Sequence, residues 1–216
     1  MATYVWGVDS ASPVDEKLLR CVTEQFGKPR FWGRYLTTIQ GVASGLSKGE
    51  ISLLHRQGIR ILPIYNEFRA ATGYENGKKT AQEAAQQARR LGIPRGTFLF
   101  ANVERFFAVD TLWILGWVNT IRTTGYKSGI YHDPVQGGFS AAFCEAVRRD
   151  YRVTSETALW SAEPQRPASG PDAPPIYAPK KPHCSANVWA WQYSRDVQGC
   201  PVDTNLMDTR LFGQLF

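Results

Sequence analysis

The chain has 216 residues, 43% of them hydrophobic and 20% charged, which excludes a disordered polar segment and supplies enough apolar mass for one sizeable core. No apolar run reaches the roughly eighteen residues a membrane-spanning helix needs. The net charge of +6 suits anionic partners, yet the densest basic groups are only pairs, Arg89-Arg90, Arg148-Arg149 and Lys180-Lys181. Without a basic tract, zinc-finger spacing or phosphate-loop glycines, nucleic acid is not an expected partner.

Tyr4 to Val8 reads as a strand ending at Asp9, followed by a turn and a helix from Asp15 to Gln25 with Leu18, Leu19 and Val22 on one face. Phe31 to Leu36 is a second strand, with Arg34 near its end. Ser47 with Glu50 three residues on is a capping box opening a helix that runs to about Gln57. Ile59 to Tyr65 is a very apolar strand followed by Asn66 and Glu67, and Gly73 to Gly77 reads as a loop before an Ala-rich helix from Lys78 to Leu91. Thr97 to Glu104 is a buried strand ending in polar groups. A helix from Val109 to Thr123, with Leu112, Leu115 and Ile121 inward, leads to a strand from Lys127 to Tyr131. His132 and Asp133 end that strand, and a helix follows from Phe139 to Arg149.

Five strand–helix units in a row predict a parallel sheet with helices outside. The rhythm then changes. Thr157 to Ala162, Val188 to Tyr193 and Val202 to Leu206 read as strands without helices between, and a loop from Pro164 to Pro182 carries seven prolines. A loop of that length is functional or disordered as a rule. The fold class expected is α/β: a single irregular TIM-type (β/α) barrel over residues 1–216, with about five β/α units and three helix-poor strands. Leu211 to Phe216 is left as a tail.

Cys21 and Cys144 lie in helical segments and read as buried thiols. Cys184 and Cys200 flank a strand, and this is the pair that an oxidising compartment would bridge. No cysteine or histidine pair has metal-ligand spacing, so no metal and no cofactor is expected. His132, after a strand, is a candidate to line a site. The first residues lack the basic start and long apolar core of a cleaved export signal.

Asn102 and Glu104 are two apart on one strand and so share a face. They stand at the C-terminal end of the strand, the end where α/β barrels bind ligands. Other polar groups placed at strand ends are Asp9, Arg34, Glu67, His132, Asp133, Glu163, Gln192 and Asp203. Several carboxyls around one mouth is what glycoside hydrolysis uses: one protonates the leaving oxygen and another group stabilises or attacks the anomeric carbon. Neighbouring carboxylates raise each other's pKa, which keeps one protonated near neutrality. Two or three of the aromatics Trp6, Tyr65, Tyr131, Trp160, Trp189, Trp191 and Tyr193 are expected to face sugar rings there, the rest being core.

Trp6-Gly7-Val8-Asp9-Ser10, Phe100-Ala101-Asn102-Val103-Glu104, and Trp191-Gln192-Tyr193 followed by Val202-Asp203-Thr204-Asn205 resemble segments of glycoside hydrolase family 25, the barrel lysozymes. They look closer still to the uncharacterised glycoside-hydrolase-like domains related to that family, as do Phe31 to Leu36 and Ile61 to Tyr65. The resemblance spans nearly the whole chain in order. It implies Glu104 as the acid, with Asn102, Asp9 and Asp203 beside it. It departs at Asn102, where the lysozymes carry Asp. An amide cannot act as a carboxylate nucleophile, but it can hydrogen-bond an acetamido group, which leaves a substrate-assisted route open. With Arg34, Tyr65, Glu67, Tyr131, Trp160, Trp191 and Gln192 expected to bind substrate, the expectation is a monomeric, secreted or cell-wall-facing hydrolase of N-acetylated glycans, peptidoglycan foremost. The alternative is a barrel that keeps the sugar cleft and has weakened chemistry, binding cell-wall glycan.

Overall fold

The computed structural model of the chain describes residues 3–216. Five strand–helix units come first: β1 (Tyr4–Ser10) and α1 (Glu16–Gln25), β2 (Phe31–Tyr35) and α2 (Lys48–Arg56), β3 (Arg60–Tyr65) and α3 (Tyr74–Arg90), β4 (Phe98–Asn102) and α4 (Thr111–Ile121), β5 (Lys127–His132) and α5 (Phe139–Arg149). A short α6 (Arg152–Glu156) precedes β6 (Thr157–Ser161), and β7 (Asn187–Gln192), β8 (Asp203–Asp208) and α7 (Thr209–Phe212) complete the chain. The strands close into an eight-stranded barrel in sequence order. Strands β1 to β7 pair parallel, whereas β8 runs antiparallel to both β7 and β1. The expected α/β barrel with five full units and a helix-poor close is the one observed. The reversal of β8 matters for the mouth. It brings the start of that strand to the rim where the parallel strands end, so Asp203 pairs in register with Asp9.

Side chains alternate between the barrel interior and the outer layer, as strand geometry requires. Phe31, Leu62, Ile64, Phe98, Phe100, Trp160, Ala190 and Met207 fill the interior. Glycines stand opposite the large rings: a Cβ on Gly129 would lie 2.7 Å from the Phe100 ring, and one on Gly7 would lie 2.5 Å from the Phe31 ring. Large rings at some inward positions demand no side chain at others. Trp32, Val8, Ile61 and Leu54 form one outer cluster beneath α1 and α2. Trp113, Trp117, Leu99 and Ile130 form another beneath α3 to α5.

The helices start where their caps predict. Asp15 accepts from the Leu18 N–H, and Asp110 from that of Trp113. Ser47 accepts from the Glu50 N–H, but the return half of the capping box is not made. Glu50 turns inward to pair with Arg34 and to accept from the Val14 N–H at 2.9 Å. Helix α3 begins at Tyr74 and takes in most of the Gly73 to Gly77 stretch expected to be loop. Gly77 is needed there for close helix packing, because a Cβ on it would lie 2.1 Å from the Trp113 carbonyl oxygen. Leu112, expected inward, is 45% exposed; α4 presents Trp113, Ile114 and Trp117 instead. The tail forms α7, whose Leu211 packs with the barrel interior.

The Pro-rich loop replaces a missing helix. It lies over the outer face of β1 and β7, where the Ser169 carbonyl accepts from the Trp6 indole at 2.9 Å and the Tyr193 hydroxyl at 2.7 Å, and the Pro164 carbonyl from the Trp191 indole at 3.2 Å. It is a cover for apolar surface. The cysteine expectations are overturned: Cys21 bonds Cys200 and Cys144 bonds Cys184. Tertiary proximity sets disulfide pairing. Cys21 on α1 meets the loop before β8, and Cys144 on α5 meets the loop before β7, so no cysteine remains a thiol.

Candidate active site

The polar ends of β1, β4, β7 and β8 converge on a cleft of about 170 Å³ in the barrel mouth, lined by Asp9, Tyr35, Asn102, Glu104, Tyr131, Trp160, Gln192, Arg195 and Asp203. Asn102 points inward from the last residue of β4 and donates from Nδ2 to Glu104 Oε1 at 3.0 Å. Its side chain lines the cleft. Across the mouth, Gln192 donates from Nε2 to Asp9 Oδ1 at 3.1 Å and to Asp203 Oδ2 at 2.8 Å. Its Oε1 accepts from the Tyr131 hydroxyl at 2.8 Å and from Arg195 Nε at 3.3 Å. One amide therefore ties two carboxyls to a phenol and a guanidinium.

The aim of Gln192 depends on a β-bulge. Val188 pairs with Leu159 in the outer layer, and Ala190 pairs with Trp160 inside, so Trp189 is an extra residue between them. Without it the alternation would carry Gln192 outward. Asn205, next but one on β8, donates to Asp9 Oδ1 at 2.7 Å and accepts from the Trp160 indole at 2.9 Å. Asp196 adopts a positive φ of 50° and presents its backbone N–H to Asp203 Oδ1 at 2.7 Å, a conformation Asp tolerates better than most residues.

Burial raises the Asp9 pKa well above the usual carboxylate value, and the Asp203 charge raises it further. Asp203 is pushed up to about 6, chiefly by burial, although the Asp196 N–H and Arg195 oppose the shift. Two carboxyls held together out of water favour keeping a proton. Burial likewise raises the Tyr35 and Tyr131 hydroxyls, so both stay neutral donors.

Of the residues expected here, Asp9, Asn102, Glu104, Asp203, Tyr131, Trp160 and Gln192 come together. Four do not. Arg34 is fully buried on the outer side of β2, where it pairs with Glu50 and donates to the Ser44 carbonyl at 2.9 Å. Tyr65 also faces outward, and its hydroxyl donates to Glu83 on α3 at 3.1 Å. Trp191 packs outward against Tyr177 and Tyr193 under the Pro-rich loop. Glu67 is exposed on the loop after β3, outside the cleft. His132 is a further correction: it is buried in the outer layer against Phe139, and its pKa is lowered to about 3 by burial. Tyr35, Arg195 and Asn205 were missed. Tyr35 and Asn205 were recoverable, since strand alternation puts Tyr35 and not Arg34 on the face of Gly33, and Asn205 on the face of Asp203. No such signal marks Arg195, which is on a loop. Among the described residues, no three His, Cys, Asp or Glu side chains converge as a metal-ligand set.

A β/α barrel whose mouth gathers one carboxyl next to an amide, facing two more, has the layout of a glycoside-hydrolase-type site. The chain belongs to the Rv2525c-like, glycoside hydrolase-like domain family, whose model matches residues 28–167. It is similar to the crystal structure of an uncharacterised B. stearothermophilus protein, with 50% identity, a TM-score of 0.97 and coverage of 98% of this chain and 100% of that one. At 14% identity it shares its fold with the lysozyme from Streptomyces coelicolor, at a TM-score of 0.60 over 97% of this chain and 96% of that one. The uncharacterised protein FadG of Bacillus subtilis is 34% identical over 83 residues, which are 36% of this chain and only 13% of that protein.

Proposed function

We propose that the protein hydrolyses N-acetylated glycans, peptidoglycan foremost, with Glu104 as acid and then base. The observation that carries this reading is the Asn102–Glu104 contact of 3.0 Å facing the Asp9–Gln192–Asp203 bridge across one cleft. Asn102 lacks a nucleophilic oxygen, so the nucleophile is the substrate's own acetamido oxygen. Asn102 Oδ1 accepts from the acetamido N–H and so turns the acetamido oxygen toward the anomeric carbon. That oxygen bonds to the carbon as the glycosidic bond breaks, and Glu104 gives its proton to the leaving oxygen. The ring intermediate is an oxazolinium ion, whose N–H stays hydrogen-bonded to Asn102 Oδ1. Water then opens it, with the Glu104 carboxylate taking the water proton. Of the Asp9–Asp203 pair, which favours keeping one proton, the ionised carboxylate stabilises the positive charge that develops at the anomeric centre, and Gln192 holds both in place.

Similarity in fold to the S. coelicolor lysozyme and to the Clostridium perfringens spore cortex lytic enzyme SleM supports a wall-glycan substrate. Two disulfides and a net charge of +6 suit an oxidising, polyanionic setting such as a cell wall. A second reading rests on the amide at 102: a barrel that binds wall glycan without cutting it. Digestion of purified peptidoglycan, with fragments weighed by mass spectrometry, separates the two. New reducing-end fragments from the parent, reduced about 10²–10⁴-fold in Glu104→Gln, support hydrolysis. Retention on the insoluble wall with no fragments released supports the binding module, and neither binding nor release refutes both.

A further inference from the structure

Basic residues that the sequence scatters are gathered by the fold at the end of the barrel opposite the mouth. Arg30 precedes β2, Arg60 opens β3, Lys127 opens β5 and Arg210 follows β8. The parallel strands begin at that rim and the reversed β8 ends there, so these four cations surround the floor that α7 closes with Leu211. Each lies over an aromatic ring. The Arg30 and Arg60 guanidinium groups stand 5.2 and 4.8 Å from the same Phe212 ring, Lys127 stands 5.7 Å from Phe98, and Arg210 stands 5.0 Å from Trp189, all within cation–π range. Arg210 is offset by Asp208. Among the described residues no carboxylate pairs with Arg30, Arg60 or Lys127. Arg56, Arg89 and Arg90, in the last turns of α2 and α3, enlarge the basic field at the same end, but the helix dipole accounts for them. Arg30, Arg60 and Lys127 lie outside helices and have no such reason. Two guanidinium groups held on one ring without a counter-charge repel each other, and an anion bound to both removes that cost.

We propose that this floor is a docking face for a linear phosphodiester polymer that carries no bases, and that it holds the protein on an anionic matrix with the cleft left free. The assignment goes beyond the reaction above and does not rest on Glu104. Guanidinium groups match the oxygens of a phosphate two at a time. A bilayer surface calls for apolar side chains that insert, yet Val42, Phe106 and Val135 are exposed on loops at the mouth, while the rings of the floor lie under cations. Single-stranded nucleic acid calls for free aromatic faces on which bases stack, and Phe212, Phe98 and Trp189 already carry a charge there. A charged chain with nothing to insert or stack needs neither.

The test is calorimetric titration of the parent protein with a synthetic poly(glycerol phosphate) oligomer at roughly 50 and 200 mM salt. Arg30→Gln with Arg60→Gln and Lys127→Gln should weaken binding about tenfold or more at the lower salt and flatten the log–log salt dependence by about 2. Removing the same charge from exposed sites on α1 and α2, by Lys17→Gln, Arg20→Gln and Lys48→Gln, should cost at most about threefold, because those charges act only through screened solvent. Arg60 also donates to the Phe212 carbonyl at 2.8 Å, so Arg30→Glu alone, at an exposed site without an ion pair, repeats the test where folding is not at stake and should itself weaken binding. Equal weakening by the two triple variants overturns the face, since net charge alone then sets the affinity. No binding by the parent overturns it as well. Tighter binding, at equal phosphate concentration, to phosphatidylglycerol vesicles or to a single-stranded oligonucleotide overturns it in favour of a bilayer or of nucleic acid.

Discussion

Replacing Asp203 with Asn should make the protein more stable at pH 8 and give no such advantage at pH 4. The folded chain holds the Asp203 pKa at about 6 against an ordinary 3.8, a difference worth about 3 kcal/mol. The native state therefore binds this proton more tightly than the unfolded chain. That contribution is fully present below the ordinary value and is lost as pH rises through about 6. Asn does not titrate, so the stability difference between variant and parent should swing by up to about 3 kcal/mol between roughly pH 3.5 and pH 8. An offset opposes the gain at every pH. Asp203 accepts from Gln192 at 2.8 Å and from the Asp196 N–H at 2.7 Å, and Asn has a single acceptor oxygen, so about 1 kcal/mol is lost. The net gain at pH 8 is then about 2 kcal/mol, or a midpoint about 4–8 °C higher for a chain of this size. Guanidinium unfolding of both proteins with disulfides intact, at half-unit pH steps, measures the difference curve. A difference that stays flat within about 0.5 kcal/mol would mean that Asp203 titrates as it does in water, and the reasoning from burial would fail.

Glu50→Gln should destabilise the protein by about 3–5 kcal/mol, because it strands the fully buried Arg34 guanidinium without its charge partner; thermal unfolding at neutral pH reads the loss. Gly116→Ala should cost at least about 1–3 kcal/mol, since its Cβ would stand 2.2 Å from the Tyr74 carbonyl oxygen and force α3 and α4 apart; an unchanged denaturation midpoint would refute that contact. Replacing Cys144 and Cys184 together by Ser should cost about 4 kcal/mol by the loop-entropy relation for their separation of 40 residues. Denaturant midpoints of parent and double variant, both in the absence of reductant, give the value.

The strand–helix order, the change of rhythm after α5 and the pairing of Asn102 with Glu104 were legible because each depends on residues near one another in the chain. Alternating polarity, caps and turn glycines act over a few residues, and a side-chain period of two puts positions 102 and 104 on one face whatever the rest of the fold does. The errors share one physical cause. A strand end offers two faces, and nearness to the end does not say which of them the barrel interior takes. Arg34, Tyr65, Trp191 and His132 all stand close to the mouth in sequence and all point into the outer layer, where helices or the Pro-rich loop bury them. The very apolar strands gave no alternation from which to tell the faces apart, because both sides of a helix-wrapped barrel are buried.

Local periodicity and short spacing were enough to read the α/β barrel class, the five regular units and the amide–carboxyl pair at the end of β4. The remaining features come from packing between distant parts of the chain. The closure of β8 against β1 in the reverse direction set Asp203 opposite Asp9. The extra residue Trp189 turned Gln192 inward to bridge them. The packing of α1 and α5 against distant loops chose Cys200 for Cys21 and Cys184 for Cys144. Each of these joins residues far apart in the chain, and what selects them is the single arrangement in which all eight strands close and the carboxyls of Asp9 and Asp203 find their partners across the mouth.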